Sequence, residues 1–389
     1  MAQFVKYIPL YTNSSGSSSG TYGILGTTTP ALWDSSNYDG TVATYFEVVL
    51  RTGNADGTAY AALYDMAGNE VSGSEVTTVS TTNVRLRSSA VTLVDDTEYV
   101  VRIKNGNSRT TTVSEGRIVV SQSGTITKTE TQICVSGTNP STTSTSYVDI
   151  STAPLFLYDA DQYDGTVAIY FEAVLSDSGA GVIANARLVD SGGTEVASSP
   201  VGQTGTTDSR QRSSALTLVD GETYRVQYKS NTAGTVRVRI ARLIIVQTGS
   251  PTKSESYNGP TFSATSTSTT GTENDRPFYW DNDEWSVDSK STYWEGTIQT
   301  TNASHTATLE AWDGAAADAS VTSTSTSRER QRSASFTPDD NTDYDPRLKI
   351  SNGASTATMR NGWFITQFTW TNPSGGTTWP GYYSNGGFF

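Results

Sequence analysis

Two segments of the chain recur at a fixed distance of 125 residues, and this repeat limits the possible folds more than any other feature of the sequence. NYDGTVATYFEVVL at 37–50 returns as QYDGTVAIYFEAVL at 162–175. RLRSSAVTLVDDTEY at 85–99 returns as RQRSSALTLVDGETY at 210–224. Because the two offsets are equal, no net insertion separates the segments, and the chain is expected to fold as tandem copies of one structural unit.

A third, more diverged copy follows the first two. YWEGTI at 293–298 is matched to the YDGTV segment, RQRSASFTPDDNTDY at 330–344 to the arginine-rich segment, and GWFITQ at 362–367 to the last strand of each copy. We therefore predict a first β-sandwich with an N-terminal arm at 1–124, a second β-sandwich at 125–249, a third, Trp-rich β-sandwich at 250–370, and an aromatic, glycine-rich C-terminal arm at 371–389.

Hydrophobic and polar residues alternate within each copy, which is the period of a β-strand. In the first copy one strand face would carry Val42, Thr44, Phe46, Val48 and Leu50. Short segments of this kind are separated by Gly, Asn and Asp turns, and no helical period is present. The pattern predicts an all-β fold of three tandem antiparallel β-sandwiches, with the jelly roll as the preferred topology.

The segment 84–93 does not fit one regular strand. Arg87 would share a face with Val91, although a charged side chain and a core side chain belong on opposite faces. A β-bulge or a strand break near Ser88 and Ser89 would separate them, and we predict one there.

Composition excludes several functional classes. The net charge of −13 argues against a nucleic-acid surface, which needs clustered Lys and Arg. The sequence has no apolar run long enough to cross a membrane and no basic segment leading into an apolar one, so neither a membrane span nor a Sec-type export signal is predicted. The single cysteine, Cys134, cannot form an internal disulfide. A virion surface or an extracellular location is expected.

Each copy carries one pair of arginines spaced two residues apart. A functional interpretation makes the pairs contacts to an anion or a partner; a structural one pairs them across strands with carboxylates such as Glu47 and Glu172. In the third copy the matched alignment places Ala303 where those glutamates stand. The pairs are Arg85 with Arg87, Arg210 with Arg212, and Arg330 with Arg332.

Acidic residues cluster just before the YDGTV segment and its third-copy counterpart. Oxygen ligands at short spacing suit Ca²⁺, so a structural calcium site is one interpretation, although no EF-hand pattern is present. Asp is also a common turn residue, which is the other interpretation. The candidate metal ligands are Asp159, Asp161, Asp164, Asp281 and Asp283.

Two tryptophans lie within the third acidic loop. If Trp280 and Trp285 are exposed, their rings could stack on a sugar while Asp281 and Asp283 accept hydrogen bonds from its hydroxyls. The alternative is that both rings pack in a core or at an interface.

The C-terminal segment is rich in aromatic residues set among Gly and Pro. Such a segment suits an arm that docks into a neighbouring subunit, and the alternative is that it folds back on its own chain. The docking candidates are Trp379, Tyr382, Tyr383, Phe388 and Phe389.

Catalytic motifs are missing from the sequence. His305 is the single histidine, so a Ser-His-Asp triad cannot recur in each copy. No nucleophile elbow, phosphate loop or zinc pattern is found, and a pair of carboxylates acting on a glycoside is the remaining enzymatic alternative. We predict that the protein is not an enzyme.

The repeated phrases, together with a closing strand such as ARLIIV at 241–246, resemble jelly-roll modules known from two settings. One is the carbohydrate-binding modules of secreted enzymes, and the other is the decoration and fibre proteins of tailed bacteriophages. The resemblance implies a structural subunit of a virion, with an extracellular filament or surface subunit as a close variant and a glycan-binding adhesin as the alternative. Expected partners are other protein subunits, further copies of this chain, or a cell-surface glycan. The three copies could form a pseudo-trimer or lie in a row.

Overall fold

The computed structural model describes residues 2–12, 14–25, 29–107 and 109–372, and these residues are organised almost entirely as β-strands. Residues 2–124, 129–248 and 253–372 are called repeats 1, 2 and 3 below. No helix in the described part of the chain is long and apolar enough to cross a membrane.

Repeat 1 forms two antiparallel sheets, ordered β1-β10-β5-β8, with β2 beside β10, and β3-β9-β6-β7, with β4 beside β9. The strand pairs are nested along the chain: β1 pairs with β10, β3 and β4 pair with β9, β5 pairs with β8, and β6 pairs with β7. This is the topology of a long hairpin rolled into two sheets, the jelly roll. The elements are β1 (Ala2–Tyr11), β2 (Ser15–Ser17), β3 (Gly23–Ile24), β4 (Ala31–Trp33), a 3₁₀ turn (Ser35–Asn37), β5 (Thr41–Thr52), β6 (Ala59–Asp65), β7 (Val76–Thr78), β8 (Val84–Val91), β9 (Thr97–Asn105) and β10 (Thr111–Gly124).

Repeat 2 follows the same plan, with sheets β11-β20-β15-β18 and β13-β19-β16-β17, while β12 lies beside β20 and β14 beside β19. Its elements are β11 (Thr129–Ser136), β12 (Ser141–Thr142), β13 (Val148–Asp149), β14 (Phe156–Leu157), a 3₁₀ turn (Ala160–Gln162), β15 (Thr166–Asp177), β16 (Ala184–Val189), β17 (Val201–Gln203), β18 (Ser209–Arg212), β19 (Thr223–Ser230) and β20 (Val236–Thr248).

Repeat 3 differs in one sheet, which runs β21-β31-β25-β30-β22 with β28 beside β25; the other runs β23-β29-β26-β27 with β24 beside β29. Its elements are β21 (Lys253–Asn258), β22 (Thr261–Ser266), β23 (Thr272–Glu273), β24 (Phe278–Trp280), a 3₁₀ turn (Asn282–Glu284), β25 (Ser289–Thr300), β26 (Ala307–Trp312), β27 (Ala317–Ser323), β28 (Glu329–Arg332), β29 (Thr342–Ile350), β30 (Ala357–Asn361) and β31 (Trp363–Thr369).

The predicted fold class is therefore confirmed: the chain is all-β and its sandwiches are antiparallel with jelly-roll order. The predicted bulge is confirmed as well. Glu47 pairs with Arg87 and Tyr45 pairs with Ala90. Two residues, Ser88 and Ser89, therefore lie opposite the single residue Phe46, which is a β-bulge. The sheets fall within the predicted ranges 1–124, 125–249 and 250–370, and independent folding of each range stays a prediction.

The sequence match for the third copy was wrong in one place. Glu295 pairs with Arg332 across β25 and β28, as Glu47 pairs with Arg87 in repeat 1. Ala303 lies instead in the exposed turn after β25. Glu295 is thus the counterpart of the buried glutamate in the other repeats, and each arginine pair has its carboxylate.

The hydrophobic cores do not stop at the repeat boundaries. Phe4 and Val5 of β1 pair through their backbone with repeat 1, yet their side chains pack in the core of repeat 3. Tyr257 and Trp363 of repeat 3 likewise join the core of repeat 2. The three sandwiches are therefore packed together and do not form a row of separate modules.

Candidate functional site at the junction of the three repeats

The first strands of the three repeats, β1, β11 and β21, meet at the centre of the molecule. Lys6 on β1 directs its Nζ toward the other two strands, where it donates to Thr131 Oγ1 and Ser254 Oγ, both at 2.7 Å, and to the Glu255 carbonyl. The lysine is buried, and desolvation lowers its pKa well below the usual value, although Glu255 acts in the opposite direction. One charged side chain thus joins all three repeats.

The contacts around this centre run in one direction and close a ring. The 3₁₀ turn of repeat 1 contacts β20 of repeat 2, the turn of repeat 2 contacts β21 of repeat 3, and the turn of repeat 3 contacts β1 of repeat 1. Because each repeat uses the same element against the next, the arrangement is a pseudo-threefold ring. The sequence left open a ring or a row, and the structure has the ring.

The tyrosine of the repeated YDG phrase joins one repeat to the next. The Tyr38 hydroxyl donates to Glu130 Oε1 at 3.3 Å, and the Tyr163 hydroxyl donates to Glu255 Oε2 at 3.0 Å. Both carboxylates are buried, and desolvation raises the pKa of each. Trp285 occupies the corresponding position at the end of the third 3₁₀ turn.

The aspartate of the phrase holds the segment that links the repeats. Asp39 Oδ1 accepts the backbone N–H groups of Thr127 at 2.8 Å and Lys128 at 3.0 Å. Asp164 accepts those of Thr252 at 2.8 Å and Lys253 at 3.3 Å. These bonds fix the path of the chain between one sandwich and the next.

The glycine of the phrase is required by backbone geometry. Gly40 has a φ of 75° and Gly165 a φ of 72°, in the left-handed region that favours glycine. A Cβ at these positions would lie 2.5 Å from the Ser123 carbonyl oxygen and 2.3 Å from that of Thr248. The phrase is therefore repeated because each part of it, Tyr, Asp and Gly, builds the link to the following repeat.

A buried glutamate lies between arginines in each repeat. Glu172 contacts Arg210 at 2.8 Å, Arg212 at 3.1 Å and Arg242 at 2.9 Å. Burial alone would raise the pKa of this carboxyl, but the three guanidinium groups outweigh burial and lower it. The corresponding sets are Glu47 with Arg85, Arg87 and Arg117, and Glu295 with Arg330 and Arg332. Each arginine pair thus contacts a carboxylate on the neighbouring strand of its own sheet.

Five of these arginines also bond to a neighbouring repeat, and two of them do so from equivalent positions. Arg210 Nε in repeat 2 donates to Glu98 Oε1 in repeat 1 at 2.7 Å, and Arg85 Nε in repeat 1 donates to Asp343 Oδ1 in repeat 3 at 3.2 Å. The same side chain therefore stabilises both its own sheet and the ring. The arginine pairs make partner contacts, but the partner is another part of the same chain.

The interface of repeat 3 with repeat 2 uses a different arginine. Arg328 donates through Nη1 to the carbonyls of Ile150 at 2.8 Å and Ala153 at 3.1 Å, and through Nη2 to Asp149 Oδ2 at 3.1 Å. This third side of the ring is thus chemically distinct from the other two.

Several of the candidate metal ligands take part in the hydrogen bonds of turns. Asp159 accepts the N–H of Asp161 at 3.1 Å, and Asp281 accepts that of Asp283 at 2.8 Å, each at the start of a 3₁₀ turn. Asp164 holds the link described above. Within the described ranges, the carboxylates that gather in a group of three belong to Asp313, Asp318 and Asp339, outside these loops. Calcium binding by the candidate loops stays a prediction.

Of the two interpretations of Trp280 and Trp285, the structure has the packed one. Both rings are buried and stack on each other with 5.7 Å between centroids, and Trp285 also contacts Phe368. The reason is ring closure: Gln3 of β1 pairs with Ser286 through two backbone hydrogen bonds of 2.8 Å and covers the loop. The two indoles therefore offer no open face to a sugar, and Asp281 and Asp283 have no sugar platform beside them.

The predicted docking residues lie outside the described residues, and their docking stays a prediction. They are Trp379, Tyr382, Tyr383, Phe388 and Phe389.

Sequence reasoning missed three central residues, Lys6, Glu130 and Glu255. The two glutamates end a shared T-K-[ST]-E phrase at 127–130 and 252–255, which was a usable signal. For Lys6 the signal was weaker: one lysine within the otherwise apolar segment FVKYIPLY.

No family model and no curated protein matches the chain. Among solved structures, a structure of the Gt strain of infectious bursal disease virus is similar at 10% identity and a TM-score of 0.22, covering 94% of this chain and 79% of that one. A triple jelly roll fold from an archaeal virus, described with its turret assembly, is similar at 10% identity and a TM-score of 0.19, covering 95% and 91%. The N-terminal CBM22 tandem domain of Xyn10C from Paenibacillus barcinonensis is similar at 8% identity and a TM-score of 0.18. The match covers 64% of this chain and 87% of that one. The similar structures are thus viral jelly-roll proteins and a carbohydrate-binding tandem domain, and TM-scores this low carry no inference about what the chain does.

Proposed function

We propose that this protein is a non-enzymatic structural protein of a larger assembly, and that its setting is a virion, as a capsid decoration or fibre protein. The observation that carries the proposal is the closed ring of three jelly rolls centred on Lys6. A ring encoded in one chain has a fixed composition and cannot lose a subunit on dilution. It presents three similar but non-identical outer faces, which suits a building block that contacts several neighbours at once.

The chemistry of the junction supports a structural role. Its buried charged groups are either paired, as in the set of Glu172 with Arg242, or hydrogen-bonded to another repeat, as Lys6 is, and both kinds of contact hold the repeats together. The single histidine, His305, bonds through Nδ1 to the Ser355 hydroxyl at 2.6 Å. The proposal therefore assigns no catalytic step to the chain. The same ring of three jelly rolls would also suit a subunit of an extracellular filament or surface layer.

The experiment compares the full chain with a chain ending at Asn372, which lacks the aromatic segment. We expect the full chain to form oligomers or ordered particles in light scattering and electron microscopy, and the shortened chain to stay monomeric with an unchanged melting temperature. A full chain that stays monomeric at its highest soluble concentration, and binds a glycan on an array, would contradict the structural role in favour of an adhesin.

A further inference from the structure

The three inter-repeat interfaces can be compared position by position because three tyrosines mark equivalent points. Each tyrosine hydroxyl accepts the backbone N–H of the residue five positions earlier at 2.7 Å. The tyrosines are Tyr99, Tyr224 and Tyr344. The residues directly before them are Glu98 in repeat 1, Thr223 in repeat 2 and Asp343 in repeat 3.

This comparison shows that one interface lacks a carboxylate. Glu98 and Asp343 each accept a hydrogen bond from the Nε of the arginine opposite. At the third interface the acid is replaced by Thr223, and the Nε of the corresponding arginine, Arg330, has no hydrogen-bond partner in the described part of the chain. This side of the ring therefore lacks the carboxylate that the other two sides place opposite the arginine.

The missing carboxylate lies next to an open cleft. Thr223 lines a cleft of about 300 Å³ between repeats 2 and 3, together with Arg225, Arg328, Asp149 and Leu155. The equivalent cleft between repeats 1 and 2 is lined by three acids, Asp65, Asp96 and Glu98, and by Arg210. The two clefts share a position in the fold and have opposite charge.

The charge in the cleft is not balanced by its own carboxylate. Arg225 Nε lies 2.9 Å and Arg328 Nη2 lies 3.1 Å from the same oxygen, Asp149 Oδ2. One carboxylate thus serves two guanidinium groups. Desolvation lowers the pKa of Arg328, and the positive charge of Arg225 lowers it further, against the pull of Asp149. The charged residues that line the cleft are thus two arginines and one aspartate, while Glu222 at its edge is bonded to the backbone N–H groups of Ser191 and Thr223. In a chain with a net charge of −13, a cleft lined by more cations than anions favours an anion.

We propose that the cleft between repeats 2 and 3 binds a carboxylate-bearing small ligand, with a uronic acid as the class that fits best. This inference goes beyond the structural role. The carboxylate pairs with Arg225 and Arg328, since guanidinium groups match carboxylates in charge and geometry. Hydroxyl groups of Ser191, Thr223 and Ser327 also line the cleft and suit the hydroxyls of a sugar ring. The volume is at the lower end for small-molecule sites, which suits one sugar unit.

Binding is measured by ligand-observed NMR and calorimetry on the full chain with three probes: glucuronic acid, acetate and methyl glucoside. We expect glucuronic acid to bind and methyl glucoside not to bind. Acetate that also binds shows that the carboxylate alone is recognised, and acetate that does not bind shows that the sugar ring is needed; both support the proposal.

A substitution tests whether charge governs the site. Thr223→Glu supplies the carboxylate that the other interfaces have, and we expect it to weaken glucuronic acid binding by about tenfold or more. Thr223→Gln has nearly the same shape without the charge, and we expect a loss of less than about threefold. Arg225→Gln removes a cation from the cleft and leaves the bonds of Arg328 to the carbonyls of Ile150 and Ala153 in place, and it is expected to weaken binding by about tenfold.

The result that overturns the proposal is equally specific. Saturable binding of methyl glucoside as tight as that of glucuronic acid, or no binding of glucuronic acid, would exclude carboxylate recognition. Equal loss in Thr223→Glu and Thr223→Gln would also exclude it, because shape would then explain the effect. Circular dichroism melting of each variant confirms that the fold is intact. Failure of binding leaves the assembly experiment on the shortened chain unaffected, so the two proposals fail separately.

Discussion

Arg210 Nε lies 2.7 Å from Oε1 of Glu98, and this bond crosses from repeat 2 to repeat 1. The same guanidinium holds Glu172 through Nη1 at 2.8 Å within its own sheet. One arginine thus couples the inside of a sandwich to the closure of the ring. The repeated arginine-rich phrase follows from this double task, since a guanidinium group presents Nε and two Nη donors in one rigid plane and can hold two carboxylates at once.

Removing the carboxylate of this bond should weaken the ring. We expect Glu98→Thr, which copies the residue found in repeat 2, to lower the free energy of unfolding by about 1–2 kcal/mol, because a partly buried charged hydrogen bond is lost. The free energy of unfolding is measured by urea denaturation, with tryptophan fluorescence as the signal. The control is Asp56→Asn, which removes the exposed partner of Arg109 and should leave the midpoint unchanged. Equal effects of the two substitutions would mean that the bond across the interface has no special role.

Removing the shared carboxylate inside a sheet should have a larger effect. Glu172→Ala leaves Arg210, Arg212 and Arg242 without their common partner, and Arg242 is fully buried. We expect a loss of about 3–5 kcal/mol, since an uncompensated buried charge is the main penalty. The matched control is Glu195→Ala, whose pair with Arg187 is more exposed and should contribute less than about 1 kcal/mol. A loss for Glu172→Ala as small as that of the control would argue against the buried set.

Asp345 should make the stability depend on pH near neutrality. Desolvation raises its pKa to about 7, outweighing the N–H of Arg276 that it accepts at 2.7 Å. In the unfolded chain the pKa returns to about 3.9. Between these two pKa values, Asp345 takes up a proton when the chain folds. Its contribution to the free energy of unfolding is therefore present at low pH and is lost as the pH rises toward and through 7.

The Asp345 prediction is tested with Asp345→Asn, whose amide oxygen still accepts the Arg276 N–H. We expect wild-type stability to fall relative to this variant, by an amount on the order of 2–4 kcal/mol, between pH 5 and pH 8. Urea unfolding at several pH values gives the difference. A constant difference over this range would show that Asp345 does not take up a proton on folding.

Lys6 should give a pH effect of opposite sign. Its folded pKa lies well below 10.5, so between the two values the unfolded chain binds more protons and stability rises with pH. We expect this rise at pH values above the folded pKa of Lys6, and it is measured up to pH 9.5, below the range in which tyrosines ionise. Lys6→Met fills a similar volume without the charge. In this variant the free energy of unfolding should rise less with pH. A variant whose pH profile parallels that of the wild type would rule out the buried lysine as its cause.

The sequence predicted the fold of one repeat because that fold depends on short-range patterns. Alternation placed Phe46 and Leu50 on the core face, and the clash of Arg87 with Val91 located the bulge. The same alternation hid the error in repeat 3. Matching YWEGTI to YDGTV puts β25 eight residues out of register, and an even shift leaves the inward and outward positions unchanged.

Ring closure could not be predicted from these patterns. The contact of Lys6 with Ser254 joins residues 248 positions apart, and no periodicity reports on such a pair. Burial of Trp280 and Trp285 depends on the same closure, because β1 of repeat 1 covers their loop. The local sequence around them, rich in Asp and Glu, left exposure and burial open. Long-range packing decides between the two.

The ring predicts that a substitution in repeat 1 destabilises repeat 3. Phe4 lies on β1 but is fully buried in the core of repeat 3, with its ring centroid 4.7 Å from Phe368 and 5.0 Å from Trp370. Phe4→Ala should lower the free energy of unfolding by about 3–5 kcal/mol. Since seven of the eight tryptophans follow residue 279, tryptophan fluorescence mainly reports on the part of the chain that contains repeat 3.

We expect the fluorescence midpoint to move to lower urea in Phe4→Ala. The control, Val79→Ala on the exposed surface of repeat 1, should leave it in place. If the three sandwiches were independent, Phe4→Ala would shift a repeat 1 signal, such as the hydrogen exchange of β5 amides, and spare the tryptophan signal. A joint shift of both signals is the outcome that requires the ring, because β1 supplies backbone pairing to one sandwich and side chains to the other.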